Sequence, residues 1–187
     1  MKAAAAAASN ALVVIDFQAF KSSNNEFIVK EVASFNGTQS LHSIFLPPCK
    51  FHELSADCQR QVRWLTNNHH HLYWSDGYVP LNKLPELLEV AVRGGGGADR
   101  IFVKGREKAA FIENCLRQRL NHRHHLHHFH PVVCEFPDQP ALTARIPYCP
   151  FHRAHSKKRE RKKTFCALSN VHYLYNLLLE LTSSSTS

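Results

Sequence analysis

The chain has 187 residues, of which 44% are hydrophobic and 20% charged, and this composition excludes a protein that is disordered throughout. No apolar run approaches the roughly 20 residues of a membrane-spanning helix, so we expect no membrane partner and a cytoplasmic or nuclear location, or both. The formal net charge of +8 favours a polyanionic partner, of which nucleic acid is the commonest.

The first half of the chain predicts three strands. An alanine-rich, disordered N-terminus at residues 1–10 precedes the run "ALVVIDFQAF" (11–20), whose continuous apolar character is typical of a central strand buried on both faces. The segments "EFIVKEVASF" (26–35) and "SLHSIFLPP" (40–48) follow after short turn signals. Three strands joined by short turns predict an antiparallel meander.

From residue 54 onward the pattern predicts helices with two strands between them. The predicted elements are a helix around 54–65, a helix within 79–97, a strand at 100–105, a helix at 106–120, a strand at 131–136 and a helix at 166–181. This order predicts an α/β fold. It is also the order of elements in an RNase H-like domain, a mixed sheet flanked by helices, which we take as the more specific expectation. We predict one such domain over residues 11–182, followed by a disordered tail at 183–187.

Three low-complexity segments, near 94–97, 121–130 and 155–163, are predicted to be insertions in this domain. The histidine-rich segment 121–130 has the composition of a flexible loop that captures metal weakly and without specificity. The three histidines at 69–71 receive the same interpretation. Trp64, Tyr73 and Trp74 are predicted to be core residues rather than platforms for stacked bases.

The segment "YCPFHRAHSKKRERKKTFCALSNV" contains the strongest functional signals. Cys149 and His152 form a Cys-x-x-His pair, a block of charge follows, and Cys166 opens a helical pattern. Either this is a metal site with a basic loop inserted into it, or two unrelated thiols flank a nucleic-acid-binding patch. Six basic residues are predicted to contact nucleic acid, with a solvated loop or a localisation signal as the alternatives: Lys157, Lys158, Arg159, Arg161, Lys162 and Lys163.

Several motifs also resemble a known family. The runs "VVIDFQAF", "IFVKGREKAAFI" and "CALSNVHYLYNLLLEL" resemble the layout of the DEDD 3′–5′ exonucleases. "FIVKEVASF", "CPFH" and "CALSNV" more closely resemble the Maelstrom domain, a zinc-containing relative that works in the piRNA pathway. The resemblance implies single-stranded RNA as a partner, and proteins of a small-RNA silencing pathway as further partners.

The resemblance also implies that exonuclease chemistry is lost. DEDD enzymes use four carboxylates to bind two divalent cations. Asp16, near the end of the first strand, matches the first carboxylate, but the other acidic positions fall on Gln18, Lys108 and Asn170, and the general-base position on Cys166. Asp16 is therefore a vestigial residue, and no catalytic residue is predicted.

Carried over residue by residue, the zinc ligands of the Maelstrom domain become Glu31, Cys149, His152 and Cys166. Thiolate and imidazole are preferred zinc ligands, and four protein ligands close a tetrahedral, structural Zn²⁺ site. His155 or Cys134 could replace Glu31 as the fourth ligand. The resulting hypothesis is a zinc-stabilised RNase H-like module that binds single-stranded RNA or proteins of a piRNA-type pathway. The alternatives are an RNA nuclease that uses non-DEDD residues, and a protein-interaction module or degraded mobile-element copy.

Overall fold

A computed structural model describes residues 12–94, 97–121, 132–136, 149–155 and 166–184. It is an α/β structure in which a five-stranded mixed sheet is flanked by helices. This arrangement confirms the predicted fold class at the level of sheet and helices. No helix in the described part of the chain is long and apolar enough to cross a membrane.

The sheet has the strand order β3-β2-β1-β4-β5. Its strands are β1 (Leu12–Lys21), β2 (Phe27–Phe35), β3 (Ser40–Ile44), β4 (Arg100–Val103) and β5 (Val132–Glu135). The first three strands pair antiparallel as the predicted meander, whereas β4 runs parallel to β1 and β5 parallel to β4. The central strand β1 is buried along most of its length, as its continuous apolar run predicts.

Five α-helices lie around this sheet in the described residues: α1 (Ala56–Asn68), α2 (Leu84–Arg93), α3 (Arg106–Asn121), α4 (Pro150–His155) and α5 (Ala167–Ser184). Single 3-10 turns precede α1 and α2 at Phe51–Glu53 and Leu81–Lys83. The side chain of Ser55 caps α1 by accepting a hydrogen bond from the backbone N–H of Cys58. The short helix α4 was not among the predicted elements.

The helices cover both faces of the sheet. On one face Val13, Ile15 and Phe17 of β1 share a hydrophobic core with α2 and α3. On the other face Val14 packs with α5, whose apolar stripe includes Val171 and faces the sheet. Because side chains alternate along a strand, Asp16 lies on the same face as Val14 and therefore beneath α5.

Some boundaries differ from the predicted ones. The third strand ends at Ile44, and Phe45 instead forms an isolated parallel bridge with Val79. Helix α5 continues to Ser184, two residues past the predicted end of the domain at residue 182, and α4 includes residue 155 of the predicted insertion. The alanine-rich N-terminus and residues 122–130 lie outside the described residues.

A buried lysine on β2 forms hydrogen bonds that hold the loop after α1 against the sheet. The ammonium group of Lys30 is fully buried and donates hydrogen bonds to the carbonyl oxygens of Phe45, Trp74 and Asp76 at 2.6, 3.0 and 2.5 Å. Burial lowers the pKa of Lys30 to about 8 although the charge of Asp76 opposes the shift, so the amine remains an ammonium with three donors at neutral pH. These bonds hold the 74–76 segment against the end of β3.

A candidate metal centre and a closed carboxylate site

Glu31 enters the candidate centre from β2, next to a β-bulge. The register between β1 and β2 shifts between Gln18 and Ala19, so that Lys30 is the extra residue on β2. The Glu31 carboxylate is fully buried, and its Oε2 accepts a hydrogen bond from the backbone N–H of Ala167 at 2.8 Å. Its Oε1 faces the centre and lies 2.8 Å from Nε2 of His42 on β3.

Cys149 and His152 enter from the first turn of α4. The Cys149 Sγ accepts a hydrogen bond from the backbone N–H of His152 at 3.4 Å and lies 3.0 Å from its Nδ1. The other ring nitrogen, Nε2, donates to the carbonyl oxygen of His70 at 2.8 Å. Because Nε2 carries the proton of this bond, the neutral form of the imidazole, which a metal ion would require, has its lone pair on Nδ1, and Nδ1 faces the centre.

Cys166 completes the centre from the start of α5. Its carbonyl oxygen accepts the first helical hydrogen bond, from the backbone N–H of Asn170 at 3.0 Å, and its Sγ lies 3.4 Å from Oε1 of Glu31. A thiolate at this end of a helix is stabilised by the partial positive charge of the helix N-terminus. The centre therefore joins β2, α4 and α5.

The four side chains form a compact, buried donor set. One ligand atom from each of Glu31, Cys149, His152 and Cys166 lies within 4.8 Å of all the others, and all four residues are buried. Such a set could hold a metal ion, and among the described residues it is the one group of this kind. Cys134 lies elsewhere, on β5 beside Arg100, and the side chain of residue 155 lies outside the described residues, so Glu31 supplies the fourth group here.

The electrostatics of the centre show one strongly acidic thiol. The hydrogen bond from the Cys149 thiol lowers the pKa of Cys166 to about 2; burial opposes the shift, and the hydrogen bond and charge of His152 add to it. The same hydrogen bond, together with burial, raises the pKa of Cys149. Burial disfavours the imidazolium of His152, yet its hydrogen bond to Cys166 and the charge of Glu31 raise its pKa to about 9. Burial, and then the charge of Cys166, raise the pKa of Glu31.

His70 is a supporting residue that sequence reasoning missed. The interpretation of residues 69–71 as part of a surface histidine tract is wrong for His70, which is fully buried and packs edge-on against Phe20. Its Nδ1 accepts from the backbone N–H of Leu72 at 3.1 Å, while its carbonyl oxygen orients His152. Burial lowers its pKa to about 3, so the ring is neutral. His42 was missed as well, since neither histidine has a local sequence signal.

A second polar cluster surrounds Asp16. This residue lies in the middle of β1 rather than near its end, one residue beyond the last pair that β1 forms with β4. The Lys108 ammonium donates to Asp16 Oδ1 at 2.6 Å and to the carbonyl oxygen of Phe17 at 2.5 Å. Oδ2 accepts from the side-chain amides of Asn170 at 2.7 Å and Gln18 at 3.4 Å. The structure thus brings together the four positions that the family resemblance aligned with acidic residues.

This cluster is a closed carboxylate site. Both oxygens of the buried Asp16 already accept hydrogen bonds, and the positive charge beside it belongs to Lys108. No second carboxylate is among the hydrogen-bond partners of Asp16 in the described residues. Glu107, adjacent in sequence to Lys108, is exposed and pairs instead with Lys21. Gathering two divalent cations requires several converging carboxylates, which this arrangement does not offer.

The comparisons with known proteins add no relative. No protein-family model, no curated protein and no solved structure matches this chain. The resemblance to the Maelstrom domain therefore stays a prediction. The six basic residues predicted to bind nucleic acid, at 157–163, lie outside the described residues and also stay a prediction.

Proposed function

We propose that this chain is a zinc-stabilised RNase H-like module of the Maelstrom type, which binds single-stranded RNA or proteins of a small-RNA silencing pathway and does not use two-metal nuclease chemistry. The observation that carries the proposal is the buried set of Glu31, Cys149, His152 and Cys166, whose ligand atoms lie within 4.8 Å of one another. The closed carboxylate site at Asp16 supports the proposal that the chain does not use two-metal nuclease chemistry.

The chemistry of the donor set favours zinc over other divalent cations. Two sulfurs and an imidazole nitrogen are ligands that Mg²⁺ and Ca²⁺ do not prefer, whereas Zn²⁺ accepts these together with a carboxylate oxygen. Four protein ligands leave no position for water, so the ion would stabilise the fold rather than catalyse. His70 and the Ala167 amide would orient His152 and Glu31 from outside the ligand set, as partners of metal ligands generally do.

The sheet supports the RNase H-like assignment. A meander of three antiparallel strands, extended by two parallel strands in the order β3-β2-β1-β4-β5, agrees with the predicted element order. The position of Asp16 on β1, opposite Asn170 on α5 and Lys108 on α3, matches the aligned acidic positions of DEDD exonucleases. RNA as the ligand rests on the net charge of +8 and on the basic residues at 157–163.

Metal analysis of the purified chain tests the zinc part of the proposal. We expect one zinc per chain after gel filtration, and its loss in a Cys149→Ala, Cys166→Ala double variant. Cys58→Ala is the matched control, because Cys58 is also buried but lies in α1, away from the donor set. Undiminished zinc in the double variant would assign the metal to the histidine tracts and refute the proposed centre.

A nuclease assay and a binding assay test the parts of the proposal that concern nuclease chemistry and RNA binding. We expect no 3′–5′ digestion of single-stranded RNA with Mg²⁺ or Mn²⁺, and measurable binding of the same RNA. A digestion ladder that disappears in Asp16→Asn would show that the carboxylate site is catalytic after all. Absence of RNA binding at low salt would leave a protein-interaction module as the function.

A further inference from the structure

A groove of about 970 Å³ opens beside α1, and none of the four candidate metal ligands lines it. Its walls come from the segment 46–53, from α1 and from the 73–75 loop, and its floor is apolar, formed in part by Val62 and Trp74. The indole Nε1 of Trp74 donates to the carbonyl oxygen of Cys49 at 2.9 Å, which fixes the floor against one wall. Neither the metal centre nor the closed carboxylate site uses any of these residues.

An exposed aromatic residue lines this groove. Tyr73, predicted from the sequence to be a core residue, is 56% exposed, whereas its neighbour Trp74 is only 6% exposed. The backbone under Tyr73 is held in place, because its N–H donates to Oδ2 of Asp76 at 2.6 Å. A large ring that is exposed on a fixed backbone is suited to stacking against a flat ligand.

Two cations line the same groove. Lys50 and Arg63 are both exposed, and no ion pair joins either side chain to a carboxylate among the residues that the structure describes. The Arg63 guanidinium lies 5.2 Å from the centre of the Phe51 ring, which limits its motion. Glu53 also lines the groove, but its carboxylate accepts from the backbone N–H of Lys50 at 2.8 Å. The groove therefore combines apolar and aromatic surface with two cations and one carboxylate, a net positive charge.

We infer that this groove binds unpaired bases of single-stranded RNA, with Tyr73 stacking on a base and Lys50 and Arg63 contacting its phosphates. Base faces are apolar and flat while the backbone is anionic, so one ligand satisfies both properties of the groove. A peptide adding as a strand is less suited, because the N–H of Leu46 is already paired with Val79 and that of Phe45 with Lys30. The inference rests on the proposed function and names the surface that contacts the bases.

The test measures the binding of a labelled oligouridine about 12 nucleotides long to the full chain by fluorescence polarisation. Tyr73→Ala should weaken binding about tenfold and Tyr73→Phe should retain it, since stacking needs the ring and not the hydroxyl. Tyr78→Ala is the matched control, because Tyr78 is 61% exposed but does not line the groove. Arg63→Ala should flatten the log–log salt dependence by about 0.7, whereas Arg117→Ala on α3 should not.

The outcomes separate this inference from the proposed function. If the parent binds RNA and neither Tyr73→Ala nor Arg63→Ala weakens that binding, the groove is not the RNA-binding surface, although the RNA-binding function still stands. A protein partner would then be the alternative occupant of the groove. An equal loss of RNA affinity in Tyr78→Ala would also overturn the inference, because the effect would not be specific to the groove. No RNA binding by the parent overturns both this inference and the RNA-binding part of the proposed function, and leaves only its protein-binding part. Thermal denaturation of each variant checks that the fold is intact, as expected for substitutions of exposed side chains.

Discussion

At Asp16 the protein supplies its own counter-charge. The carboxylate is buried, and the ammonium of Lys108 lies against one oxygen while the amide of Asn170 lies against the other. The sequence alone indicates that these positions have lost their acidic residues. It does not indicate that Lys108 reaches Asp16, because the two residues are 92 positions apart and belong to different elements. The contact depends on how α3 packs across the sheet.

Removing this ammonium should destabilise the fold. Lys108→Met leaves the Asp16 carboxylate buried without its charged partner, and we expect a loss of about 3 kcal/mol in the free energy of unfolding. The double variant Asp16→Asn, Lys108→Met should recover most of the loss, because no buried charge remains. Urea denaturation of the parent, both single variants and the double variant gives the coupling energy. A single Lys108→Met variant as stable as the parent would mean that the Asp16 carboxylate does not depend on the ammonium of Lys108 for its stabilisation.

At the scale of the elements, the predictable part of the fold is the part with a periodic sequence. The five strands and the four longer helices each carry a period of 2 or 3.6, or a continuous apolar run, over enough residues to be recognised. Helix α4 has 6 residues, fewer than two turns, so no periodicity can reveal it. The β-bulge at Lys30 and the bridge between Phe45 and Val79 arise from contacts between distant segments, which local pattern does not record.

The loop that lines the groove depends on one glycine. Gly77 has φ of +123°, and a Cβ at this position would lie 2.2 Å from the backbone carbonyl group of Phe45. Gly77→Ala should therefore cost several kcal/mol of unfolding free energy, about 1–2 of them from the backbone conformation. Gly105→Ala is the control, since Gly105 has φ of +94° but a Cβ there would meet nothing within 4 Å. In thermal denaturation, the melting temperature of Gly77→Ala should be well below that of Gly105→Ala. Equal melting temperatures would contradict the close contact between residue 77 and the backbone of Phe45.

At the scale of the whole molecule, the candidate metal centre connects residues that are far apart in the chain. Glu31 lies 118 positions from Cys149 and 135 from Cys166. Three of the ligands could be found from a local signal, the Cys-x-x-His pair and the cysteine before the last helix. Glu31 could be found only through a family resemblance, because an isolated glutamate in a strand has no distinctive spacing. The histidines that support the centre, His42 and His70, could not be found at all.

The basic residues at 157–163 should dominate the electrostatic part of RNA affinity. Each phosphate neutralised by a lysine or arginine releases condensed counterion, which gives a log–log salt slope of about −0.7 per contact on single strands. Replacing Lys157, Lys158, Arg159, Arg161, Lys162 and Lys163 with serine should flatten that slope. Zinc content and melting temperature should stay unchanged, which serves as the control for folding. Affinity and slope equal to those of the parent would show that this run is a solvated loop or a localisation signal.

Metal removal should loosen the attachment of α4 and α5 to the sheet, because the centre joins both helices to β2. A bound ion at about 1,000 times its dissociation constant stabilises a fold by about 4 kcal/mol, so a strong chelator should lower the melting temperature by roughly 10 °C. Hydrogen exchange should accelerate first at the backbone N–H groups of His152 and Ala167, which bond to Cys149 and Glu31.

Two cysteine variants decide whether the chelator acts at this centre. Cys58→Ala should respond to the chelator as the parent does, since its thiol lies in α1 and outside the donor set. The Cys149→Ala, Cys166→Ala double variant should start from a lower melting temperature and show no further response, because it has already lost half of the donor set. If the chelator lowers the melting temperature of the double variant as much as that of the parent, the stabilising ion is bound elsewhere on the chain. In that case the contact between β2, α4 and α5 would depend on hydrogen bonds such as that from Ala167 to Glu31, without help from a metal.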